Sequence, residues 1–169
     1  MGRVSVKKDK SVYQIAREEE GWSRLKVAQK LEKIEDGKYS YIDEYRLNKI
    51  ENELVRIQPD DIVALSKVYK KPELRNHYCC HDCEIGRIDV PNVTYNGGIH
   101  EILVNMAISL KAVNHKKIRL MEILEDGQVS SEEAEDFEAI SKELEHIAMT
   151  IEALQLWCEK MKLIDEDDY

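Results

Sequence analysis

Two groups of residues in this chain could do chemistry. His77, Cys79, Cys80, His81 and Cys83 crowd into seven positions, and imidazole nitrogen with thiolate sulfur is what a zinc ion takes. Cys79 and Cys83, four apart, would face the same way on a helix. A closed zinc site wants four such ligands in spaced pairs, and no second pair lies nearby, because Cys158 falls at an apolar position of the last helix and reads as core. The spacing therefore predicts buried, inert thiols, with a metal site or a thiol redox switch as the alternatives, and no cofactor. The second group is Glu44, Tyr45, Arg46, Asn48 and Lys49. Arg46 and Lys49 match the acceptors on a guanine edge, Asn48 matches adenine, and Glu44 could accept from a cytosine amino group. Tyr45 offers a ring face to a thymine methyl and a hydroxyl to phosphate. Ser23, Arg24, Lys26, Gln29 and Lys38, with a basic start (Arg3, Lys7, Lys8, Lys10), would anchor the phosphate backbone.

Enzymatic patterns are missing: there is no Gly-rich phosphate loop, no Gly-x-Ser-x-Gly elbow and no His-Glu-x-x-His. Asp126-Gly127 followed by Glu132-Glu133 lacks the spacing of a calcium loop, and a Cys79/His81 dyad has no framing residue. The chain reads as a non-enzyme.

To present the second group, residues 11–57 must form a helix-turn-helix unit. Ser11 opens a helix to about Glu20 that would bury Val12, Ile15 and Ala16. Gly21 ends it, and Ser23 caps a second helix with Leu25, Val27, Ala28 and Leu31 inward. Ten residues separate Leu31 from Ile42, more than the three or four of a tight turn; the second helix is expected to run to Glu35 or Asp36, with Gly37 as its left-handed stop. Ser40 or Asp43 caps a third helix burying Ile42, Leu47 and Ile50. Pro59 starts a fourth, with Asp60 and Asp61 at its positive end and Ile62, Val63, Leu65, Val68 and Tyr69 inward. Pro72 begins a fifth through Leu74 and Tyr78. Residues 84–98, with Pro91 and Asn96-Gly97-Gly98, read as a linker with a short extended piece at Ile88–Val93.

The last third carries the clearest periodicity. Ile99, Leu103, Met106, Leu110, Val113, Lys117, Leu120 and Leu124 alternate steps of four and three. After Gly127, with Ser130 and Glu133 as a capping box, Phe137, Ile140, Leu144, Ile147, Ile151, Leu154, Cys158 and Met161 do the same. Two heptad helices joined by a short turn fold back as an antiparallel hairpin. Further apolar residues, among them Ile102, Ile108, Met121 and Leu156, lie off that seam and imply a partner: a second hairpin or the N-terminal domain.

The chain has 169 residues, with 43% hydrophobic and 35% charged content, three prolines and seven glycines, as expected of an all-α protein. No stretch suits a membrane span or a signal peptide, so a cytoplasmic location is expected, nucleoid-associated when bound to DNA. The net charge of −9 divides unevenly: residues 1–87 hold 18 Lys/Arg against 16 Asp/Glu, residues 88–169 hold 7 against 18. A polyanion is tolerated by the first part and repelled by the second.

The stretch Leu47-Asn48-Lys49-Ile50-Glu51-Asn52 resembles the I-S-R-I-E-N signature closing the recognition helix of xenobiotic-response-element (lambda repressor/Cro-like) regulators. Ile15-Ala16-Arg17-Glu18 with Gly21-Trp22-Ser23 resembles that family's opening, and residues 59–69 its fourth helix. The segment from Pro72 through His77-Tyr78-Cys79 to Cys83-Glu84-Ile85-Gly86 is similar to a Firmicutes-type subgroup in which an acidic helical hairpin follows. The likeness covers roughly residues 11–80, and departs from the pattern at Glu53, where the family commonly has glycine, and at the ten-residue insertion. It implies a five-helix DNA-binding domain over 1–83, a linker over 84–98, a dimerising hairpin over 99–164 and an acidic tail over 165–169. A dimeric, sequence-specific transcriptional regulator of a double-stranded operator is the implied function. The alternative is a protein–protein interaction module, an adaptor or antirepressor derived from the same fold, acting through the acidic hairpin.

Overall fold

The computed structural model describes residues 10–93 and 98–165, and every regular element among them is helical. The core begins with α1 (Val12–Glu19), whose N-cap Ser11 accepts from the Gln14 N–H, and α2 (Arg24–Leu31), whose N-cap Ser23 accepts from the Lys26 N–H. Each such cap is worth about 1 kcal/mol. Gly21 takes a φ of 65° between them, a left-handed turn that a Cβ would strain. α2 stops at Leu31 rather than at Glu35 or Asp36: Glu32 and Lys33 form a turn, and Ile34–Gly37 closes as a separate 3-10 turn, with Gly37 left-handed as expected. The insertion is thus its own element, and it carries Tyr39 into the core.

α3 (Glu44–Glu51) is capped by Asp43, which accepts from the Arg46 N–H at 2.7 Å, and α4 (Pro59–Val68) starts where the Gln58 N–H donates to Asp61 at 2.9 Å. α5 (Glu73–His81) and the one-turn α6 (Gly86–Asp89) follow. Of the extended piece expected at Ile88–Val93, Ile88 and Asp89 belong to this turn instead, Val90 is extended, and residues 91–93 form no regular element. The cause of the turn is Gly86, where a Cβ would stand 2.3 Å from the Cys79 carbonyl oxygen, so α6 can lie against α5 only without a side chain there. Two of the expected inward residues face out: Ile15 and Leu25 are exposed, and α1 buries Tyr13, Gln14, Ala16 and Arg17 instead. The remaining aliphatic set, with Leu31, Ile42, Leu47, Ile50, Ile62 and Leu65, forms one core.

α7 (Ile99–Ile123) and α8 (Ala134–Asp165) pack along each other. Ser109 meets His146, Lys116 meets Glu143 and Arg119 meets Asp136, so the two run antiparallel. At the turn Gly127 has a φ of 73°, and the Ser130 N–H and hydroxyl both donate to Glu133. The seam is rotated part of a turn from the predicted one: Ile140 is buried as expected, and Met106, Val113, Leu120, Phe137, Ile147 and Leu154 are half-buried. Ile102, Ser109 and Ile123 are buried on α7, and Ile140, Thr150 and Leu156 on α8, while Leu103, Leu110, Leu124, Leu144, Ile151 and Cys158 lie exposed. Cys158 is therefore not core. Small polar side chains at the seam satisfy themselves locally. Ser109 donates to the Asn105 carbonyl at 2.9 Å and meets His146 Nδ1 at 2.8 Å; Thr150 donates to the Ile147 carbonyl.

Candidate nucleic-acid interface

α3 is held by its buried side. Leu47 and Ile50 enter the core, and Glu51 beside them is 1% exposed. A carboxylate this deep must be paired. Glu51 takes two bonds from the Arg17 guanidinium of α1, at 2.6 and 2.9 Å, and a third from Arg24 of α2, while Arg17 also donates to the Trp22 carbonyl. One acid thereby fastens three helices. Asn52 closes α3, its amide donating to the Asn48 carbonyl and side-chain oxygen.

A second buried acid does the same for α4. Asp61 is 0% exposed and accepts from the Gln58 N–H and, in a fork, from Arg46 Nε at 3.1 Å and Nη2 at 2.7 Å. The pair holds Arg46 firmly charged, and Asp61 together with burial pushes the neighbouring Tyr41 hydroxyl upward in pKa.

These pairings sort the expected site. Arg24 and Arg46 are engaged with Glu51 and Asp61, so their guanidinium forks are spent inside the protein. Glu44 and Tyr45 are exposed on α3, Tyr45 by 66%, and Lys49 lies over the Tyr45 ring at 4.3 Å. Asn48 has its side-chain oxygen held by Asn52. Tyr45, Asn48, Gln29 and Arg24 line one cleft of about 620 Å³ between α2 and α3, with Glu32, Asp43 and Glu44 on its walls. Ser23 is committed as the cap of α2, and Lys26 lies 5.1 Å over the Trp22 ring with its ammonium at the surface. Lys38 sits apart, over the Tyr39 ring beyond the 3-10 turn. Of the basic start, Lys10 pairs with Glu18 at 2.7 Å; Arg3, Lys7 and Lys8 lie outside the described residues.

The cysteine–histidine segment has a structural part. His77 and His81 stack at 4.1 Å, and His81 Nδ1 contacts the His77 carbonyl. Cys80 donates to the Val90 and Pro91 carbonyls, Asn76 holds Pro91 and Val93, and Cys83 accepts from the Gly86 N–H. These bonds pin the linker to α5. Burial first, then each neighbouring thiol, raises the pKa of Cys79 and Cys80, and burial lowers that of His77. Among the described residues no three His, Cys, Asp or Glu side chains come close enough to hold a metal ion.

The interlocking acids Glu51 and Asp61 are what sequence reading missed. Their signal was an acid at an inward helical position with arginines on adjacent helices. The chain matches no known protein family, and no curated protein or solved structure matches it.

Proposed function

We propose that the chain is a sequence-specific DNA-binding transcriptional regulator, dimeric and intracellular, whose α3 enters the major groove as the recognition helix of a lambda-repressor-like helix-turn-helix domain. The observation that carries this reading is the outward face of α3. Exposed Tyr45 and half-exposed Asn48 line a cleft with Gln29 of α2, and Lys49 lies over the Tyr45 ring, on a helix whose opposite side is bolted to the core. Arg17 and Glu51, which come from the two halves of the family-like pattern, meet as one ion pair, which supports taking both halves as parts of one unit. In this reading Asn48 reads adenine, Tyr45 contacts a thymine methyl, and Lys49 takes guanine or phosphate. Lys26, Lys38 and the α2 N-terminus hold the backbone. Arg46 and Arg24 serve by fixing α3 in place. Two subunits would set their recognition helices in half-sites about 34 Å apart.

Selection from a random duplex pool identifies the operator, and a gel-shift series then tests the face. Asn48→Ala with Lys49→Ala should weaken specific binding at least about 30-fold, from about 1–3 kcal/mol for each of the two base contacts, with circular dichroism unchanged. Undiminished affinity in the double variant removes α3 from the interface.

A second reading, an interaction module acting through the hairpin, is favoured by the exposed Leu103, Leu110 and Leu144 and by the two internally paired arginines. Binding to random duplex separates the two, because each phosphate neutralised adds about −0.9 to the slope of log affinity against log salt. A flat or absent salt response favours the module.

A further inference from the structure

The rotated seam of the hairpin leaves a second stripe unpartnered. On α7 the line Ile102, Ser109, Lys116, Ile123 faces α8, and each of Leu103, Leu110, Lys117 and Leu124 follows one of these by a single residue, a turn of about 100° around the helix. On α8, Leu144, Ile151 and Cys158 stand in the same relation to Glu143, Thr150 and Trp157. In an antiparallel pair, equal rotations off the seam fall on the same side. Both stripes therefore form one face, repeating every seven residues on each helix.

That face lies away from the core. Contact with α5 is made by Glu159 and Lys160, through Arg75 and Glu73, on another flank of α8. The steps between the apolar positions are small or uncharged: Ala107 and Met121 on α7, Ala148 and Gln155 on α8. Lys117 and, at the far end of α8, Lys162 are the charges on it among the described residues, on a hairpin otherwise dense in acids and bases. Depletion of charge at the centre with apolar residues at heptad spacing is the composition of a helical interface core.

We propose that a second copy of this chain covers this face, the two hairpins forming a four-helix bundle. Its dimensions suit that occupant. The 25 residues of α7 span about 37 Å, and two helices side by side are about 18 Å wide. Each copy would bury on the order of 700 Å², about 1,400 Å² in all, within the range of stable specific interfaces. Charge also suits it: Lys116 and Arg119 are paired within the hairpin, but Lys117 stands on this face of α7 while α8 is acid-rich, so α7 of one copy beside α8 of the other is attractive. The proposal deepens the dimeric part of the regulator reading and rests on it for the need of two copies.

Sedimentation equilibrium on the full chain without DNA tests it. The expected mass is twice the 19.7 kDa of the chain, with maleimide labelling of Cys158 slowing as concentration rises. Leu110→Glu and, separately, Ile151→Glu should weaken association at least about 100-fold, roughly 2.7 kcal/mol, at unchanged helicity, since both side chains are exposed in the single subunit. Ile108→Glu, on the opposite flank of α7, should leave the dimer intact. A monomer at about 100 μM, or a dimer split by Ile108→Glu and not by Leu110→Glu, overturns the proposal. A dimer with this variant pattern that binds no duplex leaves the interface standing and sinks the regulator reading instead.

Discussion

Two carboxylates, Glu51 and Asp61, decide which arginines of the α2–α3 surface can leave it. Each is fully buried, each accepts a forked guanidinium, and each joins α3 to a neighbour. The types at these positions were legible in the sequence: an arginine on the exposed-looking side of α3 is what a base reader should be. What the sequence could not carry was the distance from Arg46 to Asp61, fifteen residues later on another helix. The consequence is measurable. Arg46→Ala leaves the Asp61 carboxylate with the Gln58 N–H and the Tyr41 hydroxyl but without its counter-charge, and a buried acid short of its counter-charge costs stability. With Arg46 partly solvent-exposed the loss should be about 2 kcal/mol in urea unfolding. Arg46→Lys should recover little of it, since an ammonium cannot make the two-pronged contact. Wild-type stability in Arg46→Ala would show the fork to be energetically idle.

At the scale of elements, caps and breakers were the most readable signals. Ser11, Ser23, Asp43 and Pro59 open helices where their chemistry requires, and Gly37 turns left-handed. Periodicity was readable and rotation was not. A strict four-three alternation marks a stripe but not which edge of it faces the partner helix: Met106, Val113, Leu120, Ile140 and Leu154 stay at the contact, while Ser109 against His146 and Lys116 against Glu143 turn it away from Leu103, Leu110 and Leu124. The end of α3 tests this local logic. Glu53 adopts a φ of 57°, the left-handed conformation for which a side chain costs about 1–2 kcal/mol. Its backbone N–H still donates to Ile50, so the turn itself is in order. Glu53→Gly should therefore raise stability, by about 0.5–1 kcal/mol once the entropy of glycine in the unfolded chain is counted. An unchanged or lower denaturation midpoint would mean that the Glu53 side chain stabilises the turn by as much as its conformation costs.

The whole molecule is a near-neutral helical core and an acidic hairpin, and their junction is small. Arg75 with Glu159 and Lys160 with Glu73 cross it, all partly exposed, and such pairs contribute about 0–1 kcal/mol each. Leu156, on the flank of α8 that also carries Glu152 and Glu159, is buried in the same stretch. Asn76 and Cys80 add the clamp on residues 90–93. Among the described residues, the ion pairs that cross between the halves are these two exposed ones, with Leu156 buried beside them. The DNA reading needs this junction to hold, because half-site spacing is set by where the hairpin holds each core. Leu156→Ala combined with Arg75→Glu removes about 2–3 kcal/mol of apolar contact and turns one attraction into a repulsion. Calorimetry of the double variant should then resolve two transitions where the parent shows one, with the hairpin transition alone depending on protein concentration if it is the dimerising part. If the double variant still unfolds in a single step at the parent temperature, the junction is carried by contacts other than these, and Leu156 owes its burial to the hairpin itself.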